Sequence, residues 1–271
     1  MINRLKKNLI GTDRKKRLVT NIISLSTLQG VNYILPLLTL PYLVRVLGPE
    51  FFGLLAFATA TISYFMLITD YGFNLSATRQ ISIFRNDIDK VNQIFSSVMI
   101  IKTCLMLISL LLLSLLVFSF ERYNQNWEVY FITFAVVIGQ IMFPVWLFQG
   151  MEKMKYITYL NIGAKSFFTI LIFIFVKEQS DYLLVPLFTS MGFFVSGICS
   201  LFLVKKTFHV RFVPQSLICI RKQLEEGWYV FISNAGKASY QSALIVILGL
   251  FTSNTIVGYF AGANKLLQAI K

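Results

Sequence analysis

Long apolar runs recur along the whole chain, and they limit its fold more than any other feature. Residues 51–67, for example, contain no charged side chain, and only 14% of all residues are charged, against about 25% in an ordinary globular domain. A helix needs about 20 apolar residues to cross the hydrocarbon core of a bilayer, whereas a membrane β-barrel would show short alternating segments. The sequence therefore predicts an all-α, polytopic membrane protein.

Seven complete spans are predicted, and an eighth begins near the end of the sequence. Their ranges are 18–44, 51–72, 93–119, 129–150, 157–176, 182–204 and 227–250, with the eighth starting at about 254. Seventeen lysine and arginine residues lie in the N-terminal segment and in the loops after spans 2, 4 and 6, and three lie in the opposite loops. Because positively charged loops usually stay on the cytoplasmic side, the N-terminus is predicted to be cytoplasmic.

This topology divides the chain into four parts. They are a basic cytoplasmic N-terminus at 1–17, a first six-helix lobe at 18–204, a cytoplasmic amphipathic connector at 205–226 and the start of a second lobe at 227–271. Two loops, 73–92 and 214–226, mix apolar and charged residues, which predicts an amphipathic helix in the membrane interface. A plain solvated connector is the alternative for each.

A short internal repeat joins corresponding pairs of spans. Leu47-Gly48 followed by Gly53 lies between spans 1 and 2, and Leu248-Gly249 followed by Gly258 lies between spans 7 and 8. Six spans separate the two copies, and an even number keeps both copies in the same orientation, so two parallel six-helix lobes are predicted. Because the sequence stops at Lys271 inside span 8, it is expected to be truncated from about twelve spans.

Three lysines fall near the middle of predicted spans, namely Lys102, Lys165 and Lys237. A central lysine costs about 2.5–3.5 kcal/mol on insertion scales, so it is expected to face a partner or a water-filled cavity. At about 100° per residue, Asn161 shares the helix face of Lys165, and Asn234 and Gln241 share that of Lys237. These polar faces predict a shared cavity. For Lys102, a long side chain that reaches the interface is an equal alternative.

The acid nearest to a span is Asp70, at the cytoplasmic end of span 2, so the cavity is predicted to be positive and to suit an anionic substrate. Arg79 lies nine residues further on, and the two side chains can pair only if the chain turns between Gly72 and Asn74. Asp70 and Arg79 are interpreted either as a membrane-exit cap with a topology-setting arginine, or as a gate at the inner mouth of the cavity.

Several other classes of protein are disfavoured. The net charge of +13 does not indicate a nucleic-acid-binding protein, because the basic residues lie between apolar segments rather than on a water-exposed fold. The cysteines, Cys104, Cys199 and Cys219, match no metal or redox motif. No metal, cofactor or nucleic acid is predicted.

Three segments, read in order, carry a family resemblance: "LPYLVRVLGPEFFGLLAFA" at 40–58, "DYGFNLSATRQIS" at 70–82 and "PVWLFQGMEKM" at 144–154. With the span pattern, they resemble the polysaccharide-biosynthesis flippases that export O-antigen units (Wzx-type proteins). That family belongs to the multidrug/oligosaccharidyl-lipid/polysaccharide exporter superfamily. Its members have two six-helix lobes around a central cavity and about twelve spans in all, whereas this chain has barely more than seven.

The resemblance implies a substrate and a cellular location. The substrate would be an undecaprenyl-diphosphate-linked oligosaccharide, turned across the bacterial inner membrane by alternating access, with a polysaccharide polymerase and chain-length machinery as further partners. Proton or sodium coupling is also implied, although no residue here specifies it. Lys165, Lys237, Asn161, Asn234 and Gln241 would then line the cavity, with Arg79 and Asp70 at its cytoplasmic entrance. Gln149 and Glu152 either contact substrate there or form a tight turn.

Three rival functions stay open. A drug or organic-cation exporter of the same superfamily would be expected to carry membrane-embedded acids rather than lysines. An integral-membrane polymerase or glycosyltransferase would be expected to present acid–base groups or a large catalytic loop, so no enzyme activity is predicted. The third rival is a non-functional fragment of an interrupted gene.

Overall fold

The computed structural model describes the backbone of residues 2–270 and the side-chain surroundings of residues 19–236 and 242–267. Most of the described backbone is helical and none of it forms a β-strand, which confirms the all-α class. The α-helices are α1 (Ile2–Asp70), α2 (Phe73–Phe84), α3 (Ile88–Ser119), α4 (Glu121–Asn124), α5 (Trp127–Met142), α6 (Val145–Gly150), α7 (Met154–Phe175), α8 (Leu184–Phe208), α9 (Leu217–Phe251) and α10 (Asn254–Ile270), and a 3₁₀-helix covers Gln179–Leu183.

The long helix α1 contains the first two spans, separated by a sharp break at Gly48. Gly48 has φ 74° and ψ 168°, a conformation that glycine adopts at no steric cost. Pro49 follows at the position where a new helix begins, and proline is favoured there because its missing N–H would have no intrahelical acceptor. We call residues 2–47 the first arm of α1 and residues 49–70 the second arm.

Among the residues that the structure describes, five helical stretches are long and apolar enough to cross a membrane: Val19–Phe84, Ile88–Ser119, Trp127–Gly150, Met154–Phe175 and Gln179–Phe208. The first of them holds both arms of α1, so these stretches correspond to the six predicted spans of the first lobe. A shorter apolar segment, Ser242–Phe251, ends α9. The chain is therefore a multi-pass, all-helical membrane protein.

The loop between spans 2 and 3 differs from its prediction. The chain turns at Tyr71 and Gly72, whose φ angles are 46° and 75°, and α2 starts immediately afterwards. A second turn follows α2, where the Asp87 side chain accepts a hydrogen bond from the backbone N–H of Lys90 (3.1 Å) and caps α3. A helix does form in this loop as predicted, but it covers Phe73–Phe84 rather than 73–92, because the chain turns after Phe84 and Asp87 caps the start of α3.

The connector before span 7 also differs from its prediction. Residues 209–216 are not helical, and the Asn92 and Ser96 side chains of α3 accept hydrogen bonds from the backbone N–H groups of Arg211 (2.8 Å) and Val213 (2.9 Å). From Leu217 onward, α9 runs without a break into the predicted seventh span. The separate amphipathic helix predicted at 214–226 is therefore wrong: residues 217–226 are the first ten residues of α9, and 214–216 precede it.

The turns lie at two ends of the bundle. We call one end the Gly48 face; it holds Gly48, α4, the 3₁₀-helix and the joint between α9 and α10. We call the other end the Gly72 face; it holds Gly72, α2, the turn between α6 and α7, and the start of α9. One apolar core, with Leu47, Phe57 and Tyr130 at its centre, lies toward the Gly48 face, and another, with Phe73 and Trp146, lies toward the Gly72 face.

The two copies of the internal repeat meet in space. A β-carbon on Gly53 would overlap the backbone carbonyl oxygen of Asn254, and one on Gly258 would overlap that of Pro49. The second arm of α1 and the start of α10 therefore cross with their backbones in contact, which only residues without a β-carbon permit. This crossing lies at the Gly48 face and joins the first six spans to the eighth.

Candidate functional site

A cavity of about 440 Å³ lies between the first six spans and the two helices that follow them. It is bounded by both arms of α1, by α7 and α8, and by single turns of α9 and α10. Most of its surface is apolar, and a few polar side chains project into it: Asn32, Thr39, Thr59, Lys165, Thr169, Thr189, Asn264 and Lys265. An apolar pocket with a few converging polar groups is the usual form of a ligand site.

Lys165 reaches this cavity from α7. Its ammonium group donates a hydrogen bond to Asn32 Oδ1 on the first arm of α1 (2.9 Å) and lies 5.2 Å from the centre of the Phe193 ring on α8. An amide oxygen and an aromatic face attract a cation without neutralising it. The positive charge of Lys165 is therefore still available to an anion in the cavity.

Lys265 reaches the same cavity from the opposite side, on α10. Its ammonium group lies 5.4 Å from the centre of the Phe52 ring, on the second arm of α1. The two lysines thus come from different lobes of the predicted arrangement. Among the described residues that line the cavity none is acidic, so the cavity is positively charged.

The two lysines lie at similar depths along the bundle. Lys165 comes eleven residues before Val176, the C-cap residue that follows α7, and Lys265 comes eleven residues after Asn254, which begins α10. At 1.5 Å per residue, each lies about 16 Å from the Gly48 face. Half the thickness of the hydrocarbon core is about 15 Å, so both charges fall near the middle of a bilayer.

The other predicted cavity residues have mixed outcomes. Asn161 on α7 and Asn234 on α9 are half-buried, but neither is among the side chains that line the cavity. Lys237 and Gln241 lie outside the residues whose side-chain surroundings are described. Lys165 is thus the predicted cavity residue that the structure places in the cavity wall.

Asp70 and Lys102 form an ion pair away from the cavity. Asp70 Oδ1 lies 3.0 Å from Lys102 Nζ, and it also accepts a hydrogen bond from Asn74 Nδ2 (2.9 Å). The Lys102 side chain is only 4% exposed, so the alternative in which Lys102 extends to the membrane interface is wrong. Asp70 pairs with Lys102 rather than Arg79, because the turn at Tyr71–Gly72 directs α2 away from span 2.

The residues predicted to form the entrance lie on the Gly72 face. Arg79 is exposed on α2, and it makes no hydrogen bond or ion pair with the described side chains. Gln149 Oε1 accepts a hydrogen bond from Thr78 (3.5 Å), and Glu152, with φ 55°, pairs with Arg85 at 2.6 Å. The tight turn predicted for the segment around Gln149 and Glu152 is therefore confirmed.

Sequence reasoning missed Lys265. The sequence predicts only the start of the eighth span, at about 254, so the predicted central charges do not include a lysine inside that span. Its signal is nevertheless present, because Lys265 follows eleven residues without a charged side chain, Asn254–Asn264. Asn32, by contrast, is a polar residue within the first predicted span, 18–44.

Comparison with known proteins agrees with the motifs. The family described as "Polysaccharide biosynthesis protein" matches residues 18–271. A protein named "Putative O-antigen transporter" from Escherichia coli (strain K12) is 38% identical over 257 residues, which cover 95% of this chain and 62% of the relative. A protein of the same name from Shigella dysenteriae is 34% identical over 250 residues, which cover 92% of this chain and 62% of the relative.

The chain thus spans 62% of the length of these curated relatives. No solved structure matches it. The family match covers nearly the whole chain, including every segment of the fold that forms the lysine-lined cavity. The chain belongs to the polysaccharide biosynthesis protein family.

Proposed function

We propose that this chain forms the first lobe and the start of the second lobe of a flippase for lipid-linked polysaccharide units. The substrate is an undecaprenyl-diphosphate-linked O-antigen repeat or a similar oligosaccharide. The flippase turns this headgroup from the inner to the outer leaflet of the bacterial inner membrane. One observation carries the proposal: Lys165 and Lys265, from opposite sides of one cavity, place two positive charges near mid-membrane with no described acid beside them.

The chemistry of such a substrate explains why a cavity of this kind is needed. Sugar hydroxyls and a diphosphate would lose their hydrogen bonds and their hydration in hydrocarbon, at a cost of several kcal/mol for each polar group. A positive cavity supplies counter-charge to the diphosphate, and water and amide side chains such as Asn32 form hydrogen bonds with the sugar hydroxyls. The prenyl tail stays in lipid. Ammonium groups bind phosphate as point charges and tolerate varied headgroup geometry.

A cationic drug does not suit this cavity. Bringing an organic cation next to two unneutralised lysines would add repulsion in a medium of low dielectric constant. The relatives named as O-antigen transporters point the same way. We therefore favour the lipid-linked oligosaccharide over the drug-exporter alternative, and transport over polymerase or transferase chemistry.

Orientation and motion complete the proposal. The Gly72 face carries most of the loop lysines and arginines, so we place it in the cytoplasm together with the N-terminus. Arg79 would meet the diphosphate there as it enters, and Asn161, Asn234, Lys237 and Gln241 would contact the headgroup as it moves. Rocking of one lobe against the other would open the cavity to each side in turn. Polymerase and chain-length machinery would then use the flipped unit.

Complementation tests this function. The complete natural protein that carries this sequence is expressed in a strain that lacks its own O-unit flippase, and surface polysaccharide is measured. We expect polysaccharide to return, to fall strongly with Lys165→Ala or Lys265→Ala, and to be unaffected by Lys205→Ala, which removes an exposed lysine on the Gly72 face. Normal export by a correctly inserted Lys165→Ala, Lys265→Ala double variant would refute the role of the cavity.

A further inference from the structure

Arg122 links the first six spans to the last two helices at the Gly48 face. It lies on the short helix α4, between spans 3 and 4, and its side chain extends to the joint between α9 and α10. Its Nε donates a hydrogen bond to the Gly249 carbonyl oxygen (2.9 Å), and its Nη2 donates to the Thr252 carbonyl oxygen (3.3 Å) and to Asn254 Oδ1 (2.6 Å). One guanidinium thus binds three acceptors at one joint.

The acceptors are well matched to a fixed positive charge. The carbonyl groups of Gly249 and Thr252 belong to the C-terminal end of α9, where carbonyls lack an intrahelical partner and the helix dipole is negative. Asn254 is the first residue of α10. The planar fork of arginine can hold several acceptors in one arrangement, which a lysine cannot reproduce. Arg122 therefore fixes the end of α9 and the start of α10 together.

The same guanidinium also contacts the second arm of α1. Its central carbon lies 5.7 Å from the centre of the Phe57 ring, and Phe57 is completely buried. A β-carbon on Gly249 would overlap this ring, so the ring packs directly on the backbone of α9. Next to it is the Gly53–Gly258 crossing. Arg122, Phe57 and the two glycines form one continuous contact, which we call the outer seal.

The outer seal joins two of the helices that wall the cavity. Phe52, Leu55, Ala56 and Ala261 line the cavity on the second arm of α1 and on α10, the same two helices that form the crossing. If the lobes rock apart at the Gly48 face, the second arm of α1 and the start of α10 must separate. That separation breaks the hydrogen bonds of Arg122.

We propose that Arg122 is the latch of the outer seal, a positioning residue that holds the cavity closed toward the outside until the lobes rock. The direction of opening rests on the proposed function, while the latch itself rests on the contacts of Arg122. Loss of the guanidinium shifts the population toward the outward-open form, because closed protein loses three charge-assisted bonds that open protein does not make.

Sided labelling of one cysteine tests the latch. Cys104, Cys199 and Cys219 are replaced by alanine in the complete natural protein, and Ala261→Cys places a thiol in the cavity wall, where Ala261 is only 2% exposed. A membrane-impermeant maleimide is added to right-side-out and, separately, to inside-out vesicles. With Arg122→Ala we expect labelling from the outside to rise roughly tenfold, since one charged hydrogen bond alone accounts for about that factor, and labelling from the inside not to rise.

Controls separate a latch from a simple structural contact. Arg45→Ala removes an exposed arginine near the Gly48 face that bonds to none of the described residues, and it should leave both labelling rates unchanged. Faster labelling from both sides in Arg122→Ala would show general loosening and overturn the proposal, as would no change from either side.

A second variant covers the case in which Arg122→Ala does not fold. Asn254→Ala removes the acceptor of the shortest bond, and we expect the same one-sided rise with a smaller factor. If Arg122→Ala folds, adding Asn254→Ala to it should have little further effect, because the bond is already lost. Equal labelling in Asn254→Ala and unmodified protein would overturn the latch. None of these outcomes depends on the export assay, so a failed latch and a failed flippase assignment are distinguishable.

Discussion

Asp70 Oδ1 lies 3.0 Å from Lys102 Nζ, and this ion pair is buried where the end of span 2 packs against α3. Asn74 Nδ2 donates a further hydrogen bond to the same carboxylate oxygen. Each charge compensates the other within an otherwise apolar environment, so the pair explains how a lysine can stand inside the third span. The importance of the pair for stability is set by the free-energy cost of leaving either charge buried without its partner.

Breaking this pair from one side should destabilise the protein strongly. Asp70→Asn or Lys102→Met alone leaves one buried charge without its counter-charge, which costs about 3–5 kcal/mol. The double variant removes both charges and should recover most of that loss. Thermal unfolding of the purified protein in detergent measures the effect. A double variant as unstable as the sum of the two single variants would contradict this view of the pair.

The crossing at Gly53 should not tolerate even one added methyl group. Gly53→Ala places a β-carbon against the Asn254 carbonyl, and forcing helices apart costs about 1–3 kcal/mol or more. Gly262 lies on α10, the helix that Gly53 contacts. A β-carbon on Gly262 meets no atom within 4 Å, so Gly262→Ala should be neutral or slightly stabilising, because alanine loses less conformational entropy in a helix. Equal unfolding temperatures for the two variants would show that the repeats do not cross closely.

Reporter fusions should reveal opposite sides at the two ends of the bundle. Alkaline phosphatase fused after Asn124, in the α4 segment, is expected to be active, and the same enzyme fused after Asn86 is expected to be inactive. The reason is the lysine and arginine asymmetry between the loops. Activities in the reverse order would place the Gly72 face outside and would invert the proposed direction of transport.

The membrane-spanning fold was predictable because a bilayer permits few backbone structures. Backbone polar groups in hydrocarbon must be satisfied within each helix, so apolar length alone located the spans of the first lobe. Loop charge and the small residues at Gly48 and Gly72 located the turns. The helix boundaries near Asp87 and Leu217 were not predictable in this way, since a capping side chain and a docked connector decide them locally.

The candidate site was only partly predictable. Lys165 was found because a charge inside a span is costly and therefore informative. The pairing of Lys102 with Asp70 is not predictable from the sequence. It depends on how span 3 packs against the end of span 2, and helical periodicity does not specify that packing. Asn161 shares the helix face of Lys165 yet lies outside the cavity wall, because the part of α7 that lines the cavity starts one helical turn later, at Lys165, and runs to Ile172.

Binding of the lipid-linked diphosphate to purified protein tests the central claim most directly. The complete natural protein is placed in nanodiscs, and its affinity for labelled undecaprenyl-diphosphate oligosaccharide is compared with that of Lys165→Gln, Lys265→Gln and the control Lys205→Gln. We predict a loss of about tenfold for each cavity lysine, since a charged hydrogen bond contributes about 1.5–3 kcal/mol, with competition by inorganic diphosphate and no change for the control. Unchanged affinity in the Lys165→Gln, Lys265→Gln double variant would contradict the account.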